Sequence, residues 1–285
     1  MKNIQWYPGH MAKAMRLMEE SIKLCDAVVF VLDARAPASS FNPRLLQIAG
    51  NKPVLYLFNK ADMADGQAEI LLKTVKESGK HAVLGNATAH KDARALQAAM
   101  AELVREKSER NREKGVTKPL RFLVAGIPNT GKSTLINLLA GSKKAVTGDK
   151  AGVTRKNQWV RCGAFELLDT PGTMPPSCEN QTLARRLAYL GGINDDILEF
   201  DEIALCLLEE MAQKYPDRLC ERYGIEGGEP LEMLNKVCAR MGFVLRGNEF
   251  DYERGERALI DDLRKGRLGR VCFDGAEDLV PAGLV

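Results

Sequence analysis

No apolar run in the 285-residue sequence approaches ~18 residues, so nothing in it reads as a membrane-spanning helix. The seven cysteines, at positions 25, 162, 178, 206, 220, 238 and 272, are odd in number and scattered, and none forms a Cys-x-x-Cys pair. That pattern argues against a structural zinc module and a disulfide framework, and it predicts a reducing, cytoplasmic setting. The opening Met1-Lys2-Asn3-Ile4-Gln5-Trp6 lacks the basic-then-apolar layout of a secretory signal and the Arg-rich layout of a transit peptide. Repeats and low-complexity tracts are absent. So is a strong net charge: the formal value is only +3. The charge is unevenly spread, however. Residues 1–175 hold 27 basic and 16 acidic side chains (+11), and residues 176–285 hold 14 and 22 (−8). A basic front half suits contact with nucleic acid. The alternative is that a phosphate-binding domain needs cations of its own.

Apolar content of 45% is ample for a core, and the length allows one large domain or two modest ones. In the first two-thirds, short apolar runs at 27–32, 54–58, 82–84, 122–125 and 165–168 alternate with amphipathic stretches at 12–24, 67–78, 91–110 and 132–139. Continuous apolar strands separated by helices predict an α/β, doubly wound, mostly parallel sheet covered on both faces. A further strand is expected near Trp159, and the polar stretch 111–118 reads as a linker. From about Cys178 the strand signal fades. Phe200, Ile203, Ala204, Leu207, Leu208 and Met211 recur at helical spacing. Pro216 stops that helix, Pro230 suits a first helical position, and a last helix is expected over 253–265. Residues 1–176 are therefore expected to form one domain and residues 177–285 an all-helical one.

Three motifs carry chemistry. Gly126-Ile127-Pro128-Asn129-Thr130-Gly131-Lys132-Ser133-Thr134 fits the Gly-x-x-x-x-Gly-Lys-Ser/Thr phosphate loop between a strand and a helix. Its backbone N–H groups would face phosphates, Lys132 would reach the β- and γ-phosphates, and Ser133 would ligate Mg²⁺. Asp169-Thr170-Pro171-Gly172 ends a strand, so Asp169 is a second candidate on Mg²⁺, and Gly172 would turn its N–H to the γ-phosphate. Asn59-Lys60-Ala61-Asp62 also sits at a strand end. Asp62 can accept the two hydrogen bonds that guanine offers and adenine does not. Lys60 can lie over the base plane, and Asn59 can tie the loops together. Asn86 and Ala87 are candidates for a backbone contact to the base oxygen. Thr154 is the candidate for the threonine that reads Mg²⁺ and γ-phosphate, with Thr147 as its rival. The nucleotide is thus GTP or GDP. Yet the base motif precedes the phosphate loop, the reverse of an ordinary small GTPase, which predicts a circular permutation.

One part is lacking. Ras-like enzymes carry a water-orienting glutamine directly after the glycine of Asp-x-x-Gly. That place is Thr173 here, followed by Met174. His10, between a Pro-Gly turn and the first helix, is the candidate replacement. Its alternative role is an ordinary helix N-terminal residue.

These residues resemble the circularly permuted GTPases of the ribosome biogenesis GTPase A (RbgA or YlqF) type, over nearly the whole chain. The most specific parts are Gln5-Trp6-Tyr7-Pro8-Gly9-His10-Met11-Ala12-Lys13-Ala14, Asp33-Ala34-Arg35-Ala36-Pro37 and the permuted order. Gly255-Glu256-Arg257-Ala258 and the stretch from Arg264 to Arg270 add to the likeness. The resemblance implies a GTPase that assists late assembly of the large ribosomal subunit, binds rRNA through a helical C-terminal domain, and is a monomer off the ribosome. It implies a hydrolytic role for His10 and links Asn129 to K⁺ activation. The family usually continues Asp-Thr-Pro-Gly with an apolar pair, Trp and Pro, and Thr173-Met174-Pro175-Pro176 departs from that. A local cluster, Arg264, Lys265, Arg267 and Arg270, could contact rRNA, or could complement a helix C-terminus. The alternative function is an rRNA-binding module whose nucleotide is mainly structural.

Overall fold

The computed structural model describes residues 9–142, 145, 158–174 and 180–285, the first five of these by backbone alone. Six strands form one sheet: β1 (Ala27–Asp33), β2 (Val54–Asn59), β3 (His81–Leu84), β4 (Leu120–Ala125), β5 (Gln158–Cys162) and β6 (Phe165–Asp169). Their order is β3-β2-β1-β4-β6-β5. Every neighbouring pair is parallel except β5 with β6, at one edge. The strand order reverses between β1 and β4, the crevice where doubly wound sheets bind ligands.

The first six helices are α1 (Gly9–Ser21), α2 (Arg44–Ala49), α3 (Gly66–Glu77), α4 (Ala93–Leu103), α5 (Arg105–Glu113) and α6 (Lys132–Ala140). All seven residues of β1 are buried, which is why its apolar run is continuous. The pleat still sorts them. Val28, Phe30 and Leu32 join a cluster with α1, α2 and α3, whereas Ala27, Val29 and Val31 join one with α4 and α6. Both faces of the sheet are thus covered. The expected helix over 91–110 is two helices, broken at the buried Val104, and the expected linker begins inside α5. The short α2 carries no long periodic pattern and is not foreseen.

The remaining helices are α7 (Gln181–Tyr189), α8 (Phe200–Lys214), α9 (Pro216–Tyr223), α10 (Pro230–Met241), α11 (Tyr252–Arg264) and α12 (Ala276–Leu279). Pro216 ends α8 and at once opens α9, where its missing N–H costs nothing. Asn180 caps α7 by accepting from the backbone N–H of Thr182 and Leu183. Helices α8, α10 and α11 pack on one another, so closely at Gly255 that a side chain there would run into Cys238. Their core also takes in Ile127 of the phosphate loop and Met174. The chain end then returns to the sheet side, where Cys272, Leu279, Ala282 and Leu284 join the cluster around β1 and α3. Backbone bonds fix that return: Val271 N to Met63 O at 3.1 Å and Phe273 N to Arg35 O at 2.7 Å.

Candidate active site

The phosphate loop leaves β4 at Ala125 and enters α6 at Lys132. Three of its residues adopt positive φ: Gly126, Asn129 and Gly131. A Cβ on Gly126 would strike the carbonyl of Val31, and one on Gly131 would strike the Asn59 side chain, so only glycine fits at either place. The Thr130 hydroxyl donates to Ile127 O at 3.1 Å and the Lys132 ammonium to the same carbonyl at 2.7 Å. Lys132 is buried. Burial pushes its pKa down to about 8, opposed by the Asp169 carboxylate and helped by Lys60. Ser133 and Thr134 follow in the first turn of α6, whose N-terminus is the electropositive end.

Asp169 ends β6 beside β4, and the Ser133 hydroxyl donates to its Oδ2 at 2.8 Å. Thr170 donates to Val124 O at 2.7 Å. A Cβ on Gly172 would lie 2.6 Å from Pro128 N, so this glycine lies directly on the phosphate loop. Thr173 N donates to Gly126 O at 3.2 Å, and Thr173 O accepts from Asn42 Nδ2 at 3.3 Å. The Thr173 hydroxyl is buried and finds no partner among the described residues. Met174, next in sequence, is buried against Ile127 in the helical core.

Asn59 joins two of the motifs. Its Nδ2 donates to Thr130 O at 2.7 Å, and its Oδ1 accepts from Ala87 N at 2.9 Å. Asn86 shapes the same loop: its Oδ1 accepts from both the backbone and the hydroxyl of Thr88. Lys60, at φ +61°, places its ammonium 2.9 Å from Asp33 Oδ2. Asp62 lies exposed in the 3₁₀ turn Ala61–Met63 that follows. The side chain of His10 and both threonines, Thr154 and Thr147, lie outside the described residues; the His10 backbone is the second residue of α1.

Asp33 and Arg35, to which no motif in the sequence gives a role, also belong to this site. Arg35 grips Asp33 through two bonds of 2.9 and 2.8 Å, and Lys60 adds a third cation–carboxylate contact. Burial disfavours the Asp33 charge, but Arg35 and Lys60 outweigh it and hold the carboxyl well below the usual range. Arg35 also reaches the helical part, donating to Leu263 O at 2.9 Å and Arg264 O at 3.4 Å at the end of α11. The available signal was position: Asp33 ends a central strand beside the switch point.

A cavity of ≈ 530 Å³ opens between the parts. One wall is Lys60 and Met63 from the base motif with Asn129, Gly131 and Thr134 from the phosphate loop. The other is Leu190, Gly191, Arg264 and Lys265, all from the helical part; from the sequence, Arg264 and Lys265 are expected to face rRNA or a helix C-terminus rather than this cavity, and the other two carry no expectation. The walls touch where Asn129 Nδ2 donates to Gly191 O at 2.6 Å. Arg264 is held by Asp195 through two 2.7 Å bonds and by the carbonyls of Ala188 and Tyr189. Lys265 and Arg267 pair with Asp261, and Arg267 also with Asp262. Three members of the expected cationic cluster thus already face carboxylates at a helix C-terminus.

A model of the 50S ribosome-binding GTPase family matches residues 121–233. Ribosome biogenesis GTPase A of Bacillus cereus is 41% identical over 280 residues, covering 96% of this chain and 95% of that protein. Mitochondrial ribosome-associated GTPase 1 of Bos taurus is 30% identical over 296 residues, covering 95% and 88%. The crystal structure of GNP-bound YlqF from T. maritima superposes with a TM-score of 0.68 at 26% identity, over 93% of this chain and 99% of that one. With its permuted motif order and its doubly wound sheet joined to a helical bundle, the chain belongs to the ribosome biogenesis GTPase A family of P-loop GTPases.

Proposed function

We propose that this chain binds GTP in the crevice between β1 and β4, hydrolyses it to GDP and phosphate, and uses that reaction as a release switch in late assembly of the large ribosomal subunit, on rRNA, in the cytoplasm. The observation that carries the reading is the pair of hydrogen bonds from the Asn59 amide to Thr130 and Ala87, which draws the phosphate loop and the base loops around one space. The proposed division of labour is between a GTPase domain, 1–176, and a helical rRNA-binding domain, 177–285, in a monomer off the ribosome.

At the phosphate end, the backbone of Asn129, Thr130, Gly131 and Thr134 cradles the oxygens. Lys132 exchanges the Ile127 carbonyl for them, and Gly172 N–H meets the γ-phosphate. At the base end, Asp62 selects guanine, Lys60 covers the ring, and the backbone at Asn86 and Ala87 meets the base oxygen. Ser133 Oγ and Asp169 Oδ2, 2.8 Å apart, are hard oxygen donors that fit Mg²⁺, with Thr154 as a third ligand. Mg²⁺, when bound, would neutralise charge developing on the phosphate oxygens. Asn129 is the proposed K⁺ contact, and hydrolysis compared in KCl and NaCl measures it.

Thr173 holds the place of the usual glutamine with a buried hydroxyl, so water activation falls to His10 from α1. His10→Ala is expected to cut turnover about 100-fold while nucleotide affinity holds, the scale of a lost general base. Turnover on large-subunit particles decides this, together with co-sedimentation in a non-hydrolysable GTP analogue. Binding that persists without nucleotide, with no stimulation of hydrolysis, would favour a nucleotide of structural use only.

A further inference from the structure

We propose that Lys265, from the helical part, is a further nucleotide-binding residue that donates to the ribose hydroxyls of the bound guanosine nucleotide. The proposal rests on the nucleotide reading above and deepens it. The inner wall of the cavity runs from Lys60 and Met63 of the base motif to Asn129, Gly131 and Thr134 of the phosphate loop. A nucleotide that spans the two motifs must lay its ribose between them. The facing wall at that point is Leu190, Gly191, Arg264 and Lys265. The end of α11 is tied to the base motif itself: Gly266, just past the helix, is packed so that a Cβ would lie 3.4 Å from Met63 Cγ.

Among the cations lining the cavity, three are committed. Lys60 and Arg35 hold Asp33, and Arg264 holds Asp195 and two carbonyls at the end of α7. Among the described residues, Lys265 pairs with Asp261 alone, one turn back, at 3.0 Å, with both side chains about half exposed. Such an exposed i,i+4 pair contributes little, so the ammonium can leave it for a ligand at small cost. The helix ends say which part of the nucleotide it meets. The N-terminus of α6 favours the phosphates, whereas the C-terminus of α11 is the electronegative end and repels them. Arg35 donates to the last carbonyls of α11, but its own charge is already matched by Asp33. The polyanion therefore lies toward α6 and the uncharged nucleoside toward α11, where Lys265 finds hydroxyls rather than phosphate oxygens.

The test is a comparison by calorimetry of the full chain with Lys265→Met, using GTP, GDP and 2′,3′-dideoxy-GDP. The expected result is an about tenfold loss for GTP and for GDP alike in the variant, the scale of one hydrogen bond to a charged donor. Wild type should bind the dideoxy nucleotide about tenfold more weakly than GDP, and Lys265→Met should bind the two alike, as two ends of one lost contact. Wild-type affinities retained by the variant, or a dideoxy penalty equal in both proteins, would overturn the contact alone. A loss larger for GTP than for GDP would overturn the ribose assignment in favour of phosphate. Failure of wild type to bind any of the three would overturn the nucleotide reading and this contact with it.

Discussion

Asn59 holds two loops with a single buried amide, and the alternatives open to the chain are poor. Removing it leaves the N–H of Ala87 and the carbonyl of Thr130 without their partner in a buried place. Asn59→Ala should cost about 1–3 kcal/mol in urea unfolding, the price of stranded polar groups, and should weaken GTP binding at least about tenfold. Lys132 makes a pH prediction. In the free site its pKa is pushed down to about 8 by burial, and phosphate oxygens would restore its charge. Below that pH the ammonium is charged in both states, so affinity is flat. Above it, binding must take up a proton, and affinity should fall by up to about tenfold per pH unit until the ordinary lysine range near ~10.4. Calorimetry in buffers of different ionisation enthalpy, on either side of pH ~8, should detect that proton; a flat profile would deny the exchange from the Ile127 carbonyl. The buried Asp33–Arg35 pair is a third case. Arg35→Ala strands the Asp33 charge and frees the end of α11, so a loss of about 3–5 kcal/mol in stability is expected from denaturant unfolding. With Asp33 held low, the stability it contributes is fully present above the unfolded carboxylate value of ~3.9 and is lost as pH falls below it toward the folded value.

The elements differ in how openly the sequence announces them. All five apolar runs appear as strands, most openly β1, which is buried on both faces and therefore apolar whichever way its residues point. The motifs lie at the strand ends for the same reason: polar residues begin where the sheet meets solvent. The phosphate loop is legible down to single residues, since its glycines answer to collisions with Val31 and Asn59 that no other residue avoids. By contrast α2 and α9 are short and carry only two core positions each, too few for a period to emerge. Lys265, Gly191 and Arg264 are illegible as site residues because they reach the cavity through packing of one part on another. Met174 illustrates the same limit. Nothing in the sequence speaks of its packing, yet it joins the helical core together with Ile127. Met174→Ala should cost about 2–5 kcal/mol by leaving a cavity there. Scanning calorimetry checks the loss, and an unchanged melting temperature would mean the two parts do not share that core.

At the scale of the molecule, the phosphate loop and the segment after Asp169 are wired to the helical bundle rather than joined to it by a tether. Asn129 bonds Gly191, Arg35 bonds the end of α11, and Ile127 and Met174 enter the helical core. The chain end adds a clasp, with Asp274 accepting from Ser39 on one side and Arg186 on the other. The permutation explains the economy of this arrangement: with Asp169-Thr170-Pro171-Gly172 as the last motif of the sheet, the next helix among the described residues is already α7 of the bundle. In the proposed switch, a γ-phosphate sensed at Gly172 would act on a contact shared by both parts. All of it depends on three distant stretches of backbone gripping one guanosine nucleotide. Calorimetric titration of the purified chain with GTP and with ATP, in Mg²⁺, tests that most directly. Saturable GTP binding is expected, with ATP at least about a thousandfold weaker, because a site that pairs with both guanine donors leaves its own groups unpaired against adenine. Equal affinity for the two, or none for GTP, would contradict it.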